Sequence, residues 1–186
     1  MKVLLISEAQ QQTAALAAAV LAADHQLVSR QGLQKGYAYR LGDNAVELVI
    51  LSITTIKKEM LKELHLFGVP VVVFAEAQGD IDTAAVINAG VSAYVVNGFK
   101  QERISAVIEL AQARYQQVEA LRLQLYKSRQ ELEERKEIDR AKGIIMKQKG
   151  CDEEGAYQAL RKAAMDQNRR IADVARNIIN LSGLLV

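Results

Sequence analysis

The residues best suited to chemistry lie near the C-terminal end, where cations surround a tyrosine. Residues 140–149 include four Lys or Arg side chains and no acid. Lys and Arg neutralise phosphates, and an exposed ring or guanidinium plane stacks on an unpaired base. This pattern therefore indicates contact with a polyanion such as single-stranded RNA. The candidate contacts are Arg140, Lys142, Lys147, Lys149, Tyr157, Arg161, Lys162 and Arg169.

Helical spacing predicts where these cations lie. At about 100° per residue, four apolar side chains from residue 138 to residue 145 share one helix face. Arg140 and Lys147 line one edge of that face, and Lys142 and Lys149 line the other. Because the apolar face must pack, we expect both edges to remain in solvent. The alternative is that Tyr157 sits at the edge of a core and that the cations form an ordinary solvated face.

The remaining reactive side chains are few and scattered. A single cysteine, Cys151, excludes an internal disulfide and precedes a helix start, where it acts as a small apolar residue. His25 and His65 lie far apart, with no Ser or Cys partner in a recognisable arrangement. We therefore predict no catalytic residue, no metal and no cofactor.

Charge divides the chain into two parts. Residues 1–113 carry nine Lys or Arg and eleven Asp or Glu, whereas residues 114–186 carry fifteen and eleven. An acidic first part and a basic second part suggest two roles on one chain. No apolar run approaches the ~20 residues of a membrane span, and the N-terminal run is too short for a signal peptide. We expect a cytoplasmic protein without a membrane partner.

The first hundred residues alternate apolar strand-like runs with helical patterns. Runs of this kind, rich in β-branched residues, are typical of strands buried on both faces. Five strands separated by helices predict an α/β flavodoxin-like domain with a five-stranded parallel sheet, over residues 1–103. The strand candidates are 3–7, 25–30, 46–53, 69–75 and 91–96, and the helix candidates are 10–23, 55–66, 80–89 and one starting near Lys100.

The pattern changes at residues 104–138, which contain neither Gly nor Pro. Apolar residues recur at spacings of three and four, as in a coiled coil, although Ser128 and Arg135 occupy the next seam positions. A polar helix of this kind has little to pack against, so we expect a parallel homodimer. The alternative is a helix folded back on its own domain. The predicted seam consists of Val118, Leu121, Leu125 and Leu132.

Residues 139–186 predict a small all-α domain of three short helices. The first covers about 139–149 and ends at Gly150, a residue suited to the position after a helix. Asp152 is a good N-cap for the second helix, and Asn168 is a candidate cap for the third. Three helices of this length are marginal on their own, so we expect the preceding long helix to supply more core.

The N-terminal part resembles the receiver domain of two-component response regulators, with VSAYVVNGF as its last strand. A working receiver needs two acids after its first strand for Mg²⁺ and an aspartate ending the third to accept phosphate. It also needs Thr or Ser ending the fourth strand and Lys ending the fifth. The matching positions here are Ser7, Glu8, Ser52, Ala75 and Asn97. One carboxylate supports a divalent ion poorly, so the resemblance implies a pseudo-receiver that aspartyl phosphorylation does not switch.

The C-terminal part resembles the ANTAR domain, an RNA-binding module of bacterial transcription antiterminators. The matching stretches are AKGIIMKQKG (141–150), EEGAYQALRKAAM (153–165) and NRRIADVARNII (168–179). The order of receiver, coiled coil and ANTAR domain is most similar to the antiterminators of nitrate assimilation. The resemblance implies binding to paired stem–loops in nascent leader mRNA, which prevents terminator formation, with RNA polymerase only an indirect partner. It also implies an inhibitory, ligand-sensing protein partner.

Other functions compete with this interpretation. The terminal helices could form a helix-turn-helix that binds DNA, but the third is mostly apolar beyond Arg170. Antiterminators of amide or ethanolamine genes share the architecture. The chain could also be an enzyme or a simple interaction adaptor, although no catalytic constellation supports an enzyme.

Overall fold

The computed structural model describes residues 1–8, 10–32, 46–64, 67–97 and 99–183. Its contacts divide the chain into two compact units, Met1–Glu119 and Ala120–Val186. Among the described residues, no helix combines the length and the apolar character that crossing a bilayer requires.

The first unit is built on a five-stranded sheet in which every neighbouring pair is parallel. The strand order is β2-β1-β3-β4-β5, one of the two common orders of doubly wound folds. This confirms the predicted flavodoxin-like class. The strands are β1 (Lys2–Ser7), β2 (Gln26–Gly32), β3 (Leu48–Ile53), β4 (Val71–Ala75) and β5 (Ala93–Val96).

The sheet is buried on both faces because its central strands are apolar at nearly every position. Every residue of β3 and β4 is buried, and Ser52 is the one polar residue among them. Alternate residues of β1 enter different cores, with Leu4 and Ile6 on one face and Val3 and Leu5 on the other. The observed strands therefore follow the continuous apolar runs expected of parallel sheets.

Helices cover both faces of this sheet. One face is covered by helix α1 (Gln10–Ala22), through side chains such as Leu16. The helical segment that begins at Ile104 packs on the same face, through side chains such as Ile108. Helices α2 (Lys58–Leu64) and α3 (Thr83–Asn88) pack on the other. Each lies within a predicted helical stretch, but α2 begins three residues later than expected, and the expected end at residue 66 lies outside the described residues.

Helix α4 (Ile104–Lys149) follows a 3₁₀ turn, Gln101–Arg103, and is a single element. The sequence predicted a separate helix starting near residue 139, and this is wrong as a description of the secondary structure. Gly143 is the only Gly or Pro from 104 to 149, and one glycine does not end a helix that is well formed on either side. The predicted domain boundary at 138/139 therefore remains a functional proposal, because the helix continues through it.

The end of α4 and two shorter helices form the core of the second unit. Helices α5 (Glu153–Asp166) and α6 (Ile171–Gly183) pack against it. Most of the buried residues here are small or branched, and Leu160 is completely enclosed. The predicted packing of three helical segments is thus present, with α4 as the first. The buried members are Ala141, Ile145, Ala156, Leu160, Ala164, Val174 and Ala175.

The helix ends show two correct predictions and one wrong one. Gly150 follows α4 with φ +63°, and the Asp152 carboxylate accepts the Gly155 N–H of α5 at 2.9 Å. Asn168, predicted to cap α6, instead follows α5 with φ 48°, because asparagine tolerates the left-handed conformation that ends a helix. Arg170 precedes α6, and its carbonyl accepts the first backbone bonds of that helix.

Candidate nucleic-acid interface

The five positions that match a receiver's phosphorylation pocket lie at the carboxyl edge of the sheet. Ser7 and Ser52 are register partners on β1 and β3, and both are buried. Ala75 ends β4, and Asn97 follows β5 with φ 69°. The topology therefore brings these predicted residues to one edge, as in a receiver, but with hydroxyl, methyl and amide groups at four of the five positions.

The one remaining acid, Glu8, is engaged with the chain that follows β3. Its Oε2 accepts the Thr54 N–H at 2.7 Å, and its own N–H donates to the Ser52 carbonyl at 3.0 Å. The Glu8 carboxylate thus connects the end of β1 to the segment after β3 through a backbone hydrogen bond. Across the described ranges, no three His, Cys, Asp or Glu side chains converge as a metal ion would require. His65 lies outside those ranges.

Among the described residues of the second unit, three cations are held by carboxylates of another helical segment, and the first of them is Lys142. Its ammonium lies 2.7 Å from Asp139 and 2.6 Å from Glu153, and its side chain is only 14% exposed. The expectation that both cationic edges of α4 remain in solvent is therefore wrong for Lys142. The reason is that α5 begins beside it and brings Glu153 within reach.

Two arginines near α6 form the other ion pairs. The Arg170 guanidinium donates to both carboxylate oxygens of Glu134 at 2.5 and 2.6 Å. Arg176 binds both oxygens of Glu137 at 3.0 and 2.9 Å and lies 3.3 Å from Asp173. Arg176 donates through two nitrogens, a geometry that fixes orientation, whereas both Arg170 bonds come from one nitrogen. The two arginines attach the α6 region to α4.

The ion pairs shift the pKa values of these groups. The hydrogen bond from Arg176 lowers the pKa of Glu137, and the bond from Lys142 lowers the pKa of Asp139. Bonds to Asp139 and Glu153 raise the pKa of Lys142, and bonding to Glu137 raises the pKa of Arg176. All four groups are thus held in their charged forms.

Acid should weaken the packing of α6. Because the folded pKa of Glu137 lies below its ordinary value of 4.5, its contribution to stability is present at neutral pH and disappears as pH falls through the folded value. We expect the unfolding temperature of α6, followed by NMR, to fall on acidification below about pH 4.5. Arg176→Gln should reduce that dependence, and an identical acid profile in this variant would contradict the assignment.

Six predicted cations differ from the paired three. Their side chains are exposed, and none forms an ion pair with any residue in the described part of the chain. We call this set the unpaired cations. They are distributed over the end of α4, the middle of α5 and the connection to α6. The unpaired cations are Arg140, Lys147, Lys149, Arg161, Lys162 and Arg169.

Tyr157 lies on α5 and is 39% exposed. Arg161 and Met165 follow it at successive intervals of four residues, so the three side chains form a row along one edge of the helix. We call them the Tyr157 row. Met165 is 70% exposed. An aromatic, a guanidinium and a thioether in one accessible row provide flat and polarizable surface for an unstacked base.

Sequence reasoning missed the ion pairs of Arg170 and Arg176. Their partners Glu134 and Glu137 precede them by 36 and 39 residues, beyond the range of any periodicity argument. A usable signal was present, because Glu134 and Glu137 both lie within about 40° of Ala141 on a helical projection. Two acids beside an apolar face predict cations on the helix packed there.

The fold and these surfaces define a class: a receiver-like α/β domain linked by a long helix to a cationic helical module. Residues 127–179 match the profile of the ANTAR domain family. The chain therefore carries an ANTAR domain, as its sequence resemblance indicated. The matched segment starts within the predicted coiled coil.

Curated relatives match parts of the chain. The nitrate regulatory protein of Klebsiella oxytoca is 38% identical over 78 residues, which is 42% of this chain and 20% of that protein. The transcriptional regulatory protein PdtaR of Mycobacterium tuberculosis is 33% identical over 113 residues, which is 61% of this chain and 55% of that protein. The chain thus spans less than two thirds of either relative.

A solved structure supports the fold of the first unit. The N-terminal domain of a response regulator/sensory box/GGDEF three-domain protein from Carboxydothermus hydrogenoformans matches with a TM-score of 0.50 at 14% identity. The match covers 62% of this chain and 97% of that one. At this identity the comparison establishes a receiver-like fold alone.

Proposed function

We propose that this protein is a transcription antitermination regulator whose ANTAR domain binds paired stem–loops in nascent leader mRNA. The observation that carries the proposal is that the second unit presents both the unpaired cations and the Tyr157 row to solvent. Cations in solvent bind phosphates with release of counterions, and the row offers stacking surface to loop bases. Binding would stabilise the stem–loops against an overlapping terminator and let RNA polymerase continue without direct contact.

Ion pairing disfavours the DNA-binding alternative. A helix-turn-helix protein presents its recognition helix to the major groove, and α6 would be that helix here. However, Arg170 and Arg176 are bound to Glu134 and Glu137. Apart from Arg176, the exposed side chains described on α6 are Asn177, Asn180 and Leu181, none of which is a cation that could bind phosphate.

A selection experiment tests the class of ligand without assuming the sequence of the target. The full chain is incubated with a library of RNAs that contain two hairpins with randomised loops, and bound RNAs are recovered. Filter binding then compares the selected RNA with duplex DNA of the same length at matched salt. We expect loop-dependent RNA binding and weaker, sequence-independent DNA binding. Equal affinity for both, or no recovered RNA at low salt, would refute the proposal.

We further propose that the regulated genes serve nitrate or nitrite assimilation. The support is the similarity to the Klebsiella oxytoca nitrate regulatory protein, and genes for amide or ethanolamine use are the rivals. A leader–reporter fusion in the native host, assayed with nitrate, an amide or ethanolamine, discriminates the three. Read-through that requires this protein and responds to nitrate is the expected result.

A ligand-sensing protein, and not aspartyl phosphorylation, is proposed to control the ANTAR domain. The receiver-like pocket has Ser52 where a phosphoryl acceptor belongs, and Glu8 is bonded to the Thr54 N–H. We expect no mass increase after incubation with acetyl phosphate and Mg²⁺, while a conventional receiver treated in parallel is modified. A stable phosphoryl adduct on this chain would contradict the proposal.

The inhibitory partner should be recovered by pull-down from uninduced cells.

We also propose that α4 forms a parallel homodimer. The four predicted seam residues are exposed, from 39% at Val118 to 58% at Leu121. Residues 121–133 are exposed without interruption, so this part of α4 has apolar side chains that the single chain does not cover. A dimer would place two ANTAR domains on two hairpins, and linkage would raise the effective concentration of the second contact.

A further inference from the structure

Gly143 lies inside the last part of α4, with helix on both sides of it. A glycine in a helix interior lowers helix stability relative to alanine. Its φ is not in the left-handed region that makes glycine necessary at Gly68, Gly90 and Gly150. The backbone conformation therefore does not explain this residue.

Crowding within the protein does not explain it either. A Cβ placed on Gly143 would meet no atom within 4 Å. Gly155 on α5 is different, because a Cβ there would lie 3.0 Å from the Asp152 carboxylate and 3.3 Å from the Cys151 Cβ. Gly155 is thus crowded by its neighbours, whereas the space above Gly143 is open.

The open space lies between two unpaired cations. Arg140 precedes Gly143 by three residues and Lys147 follows it by four, so both lie within about 60° of it on the helix surface. Both side chains are exposed. The buried residues Ala141 and Ile145 lie about 160° away, on the opposite side of the helix.

We propose that the sugar–phosphate backbone of bound RNA passes directly over Gly143, with phosphates held by Arg140 and Lys147. This inference rests on the proposed RNA-binding function and specifies where the RNA lies. A glycine lets a ligand approach the helix backbone more closely than any residue with a side chain. Glycine lowers the stability of the helix at this position, and close phosphate contacts would offset that loss when RNA is bound.

Charge argues against a second copy of the chain as the occupant. In a symmetric contact through this face, each Arg140 and Lys147 would approach the same cations of the partner. The acid on this face, Asp139, is already paired with Lys142 at 2.7 Å. Like charges at such distances repel. A polyanion gains from both cations, so RNA fits the face better than another α4.

The test is Gly143→Ala in the full chain, with the double-hairpin RNA recovered by selection as the probe. Because the added methyl enters open space and favours the helix, the melting temperature should rise. The RNA dissociation constant should increase at least tenfold, and the dimer fraction in sedimentation should not change. Gly143→Leu should weaken RNA binding further. The control is Asn177→Ala, which improves helix propensity at an exposed position of α6 and should leave RNA binding intact.

The outcomes separate this inference from the function on which it rests. If the parent binds RNA and Gly143→Ala binds it equally well, the inference is overturned and the proposed function stands. Loss of RNA binding that accompanies loss of the dimer also overturns it, because the glycine would then serve self-association. A parent chain that selects no RNA refutes both.

Discussion

Replacing four unpaired cations by glutamine should abolish tight RNA binding while leaving the fold intact. The four are Arg140, Lys147, Lys149 and Arg161, all exposed and outside the ion pairs of the ANTAR domain. Each phosphate contact to single-stranded or duplex nucleic acid contributes about 0.7 to 0.9 to the slope of log K against log salt. If each cation meets one phosphate, affinity should fall about a thousandfold at 0.1 M salt.

Salt dependence provides the second measurement of the same variant. The slope should decrease by about three, because the loss of four phosphate contacts means that about three counterions fewer are released on binding. The matched control removes four exposed lysines of the first unit, Lys57, Lys58, Lys62 and Lys100. It changes the net charge equally but should leave most of the affinity. Equal losses in the two variants would mean that only overall charge matters, and no loss in the first would reject these residues.

The paired cations should behave differently from the unpaired ones. Arg176→Gln removes both bonds to Glu137 and leaves a carboxylate beside the apolar face of α4. We expect a lower melting temperature for α6, with RNA affinity restored when the measurement is made well below that temperature. The residue types of the cations do not reveal this contrast, and the available signal is the position of the acids Glu134 and Glu137 beside the apolar face of α4.

Strands and helix ends were predictable because their causes are local. The runs in β3 and β4 are apolar at nearly all successive positions, and this continuity itself identifies strands covered on both faces. Gly150 and Asp152 occupy positions where a left-handed φ and a carboxylate acceptor are needed within a few residues. The ANTAR domain was recognisable because its stretches lie together in 141–179.

The wrong predictions concern residues whose surroundings are set by tertiary contacts. Asn168 suits both the end of one helix and the start of the next, and its residue type does not say which. Lys142 was expected in solvent because its helix edge is polar, but the start of α5 places Glu153 beside it. The opening above Gly143 depends on the absence of neighbours among the described residues, which only the packed structure reveals.

The second large effect is expected from a single charge in the proposed seam of α4. Leu125 is 53% exposed and lies at a predicted seam position, so Leu125→Glu should not disturb the fold of the single chain. In a dimer it would bury two carboxylates opposite each other without partners, which is strongly unfavourable. We expect sedimentation to show a monomer at concentrations where the parent is a dimer.

The same helix offers a control of the same residue type. Leu123 is 55% exposed, but two residues of helix turn it about 160° away from Leu125. Leu123→Glu should therefore remain dimeric. If both variants dissociate, the seam is misplaced; if neither does, or if the parent is a monomer, the coiled-coil dimer is rejected.

Dissociation should affect RNA with two hairpins much more than RNA with one. A dimer engages the second hairpin at the effective concentration set by the linkage, which raises avidity by about 10² to 10⁴. Leu125→Glu should lose that gain and yet bind a single hairpin as well as the parent does, because the unpaired cations and the Tyr157 row are unchanged. Equal weakening on both RNAs would instead mean that the seam supports the ANTAR fold itself. Since Leu132 lies within the matched segment 127–179, Leu132→Glu tests that possibility directly, and we expect it to reproduce the selective loss.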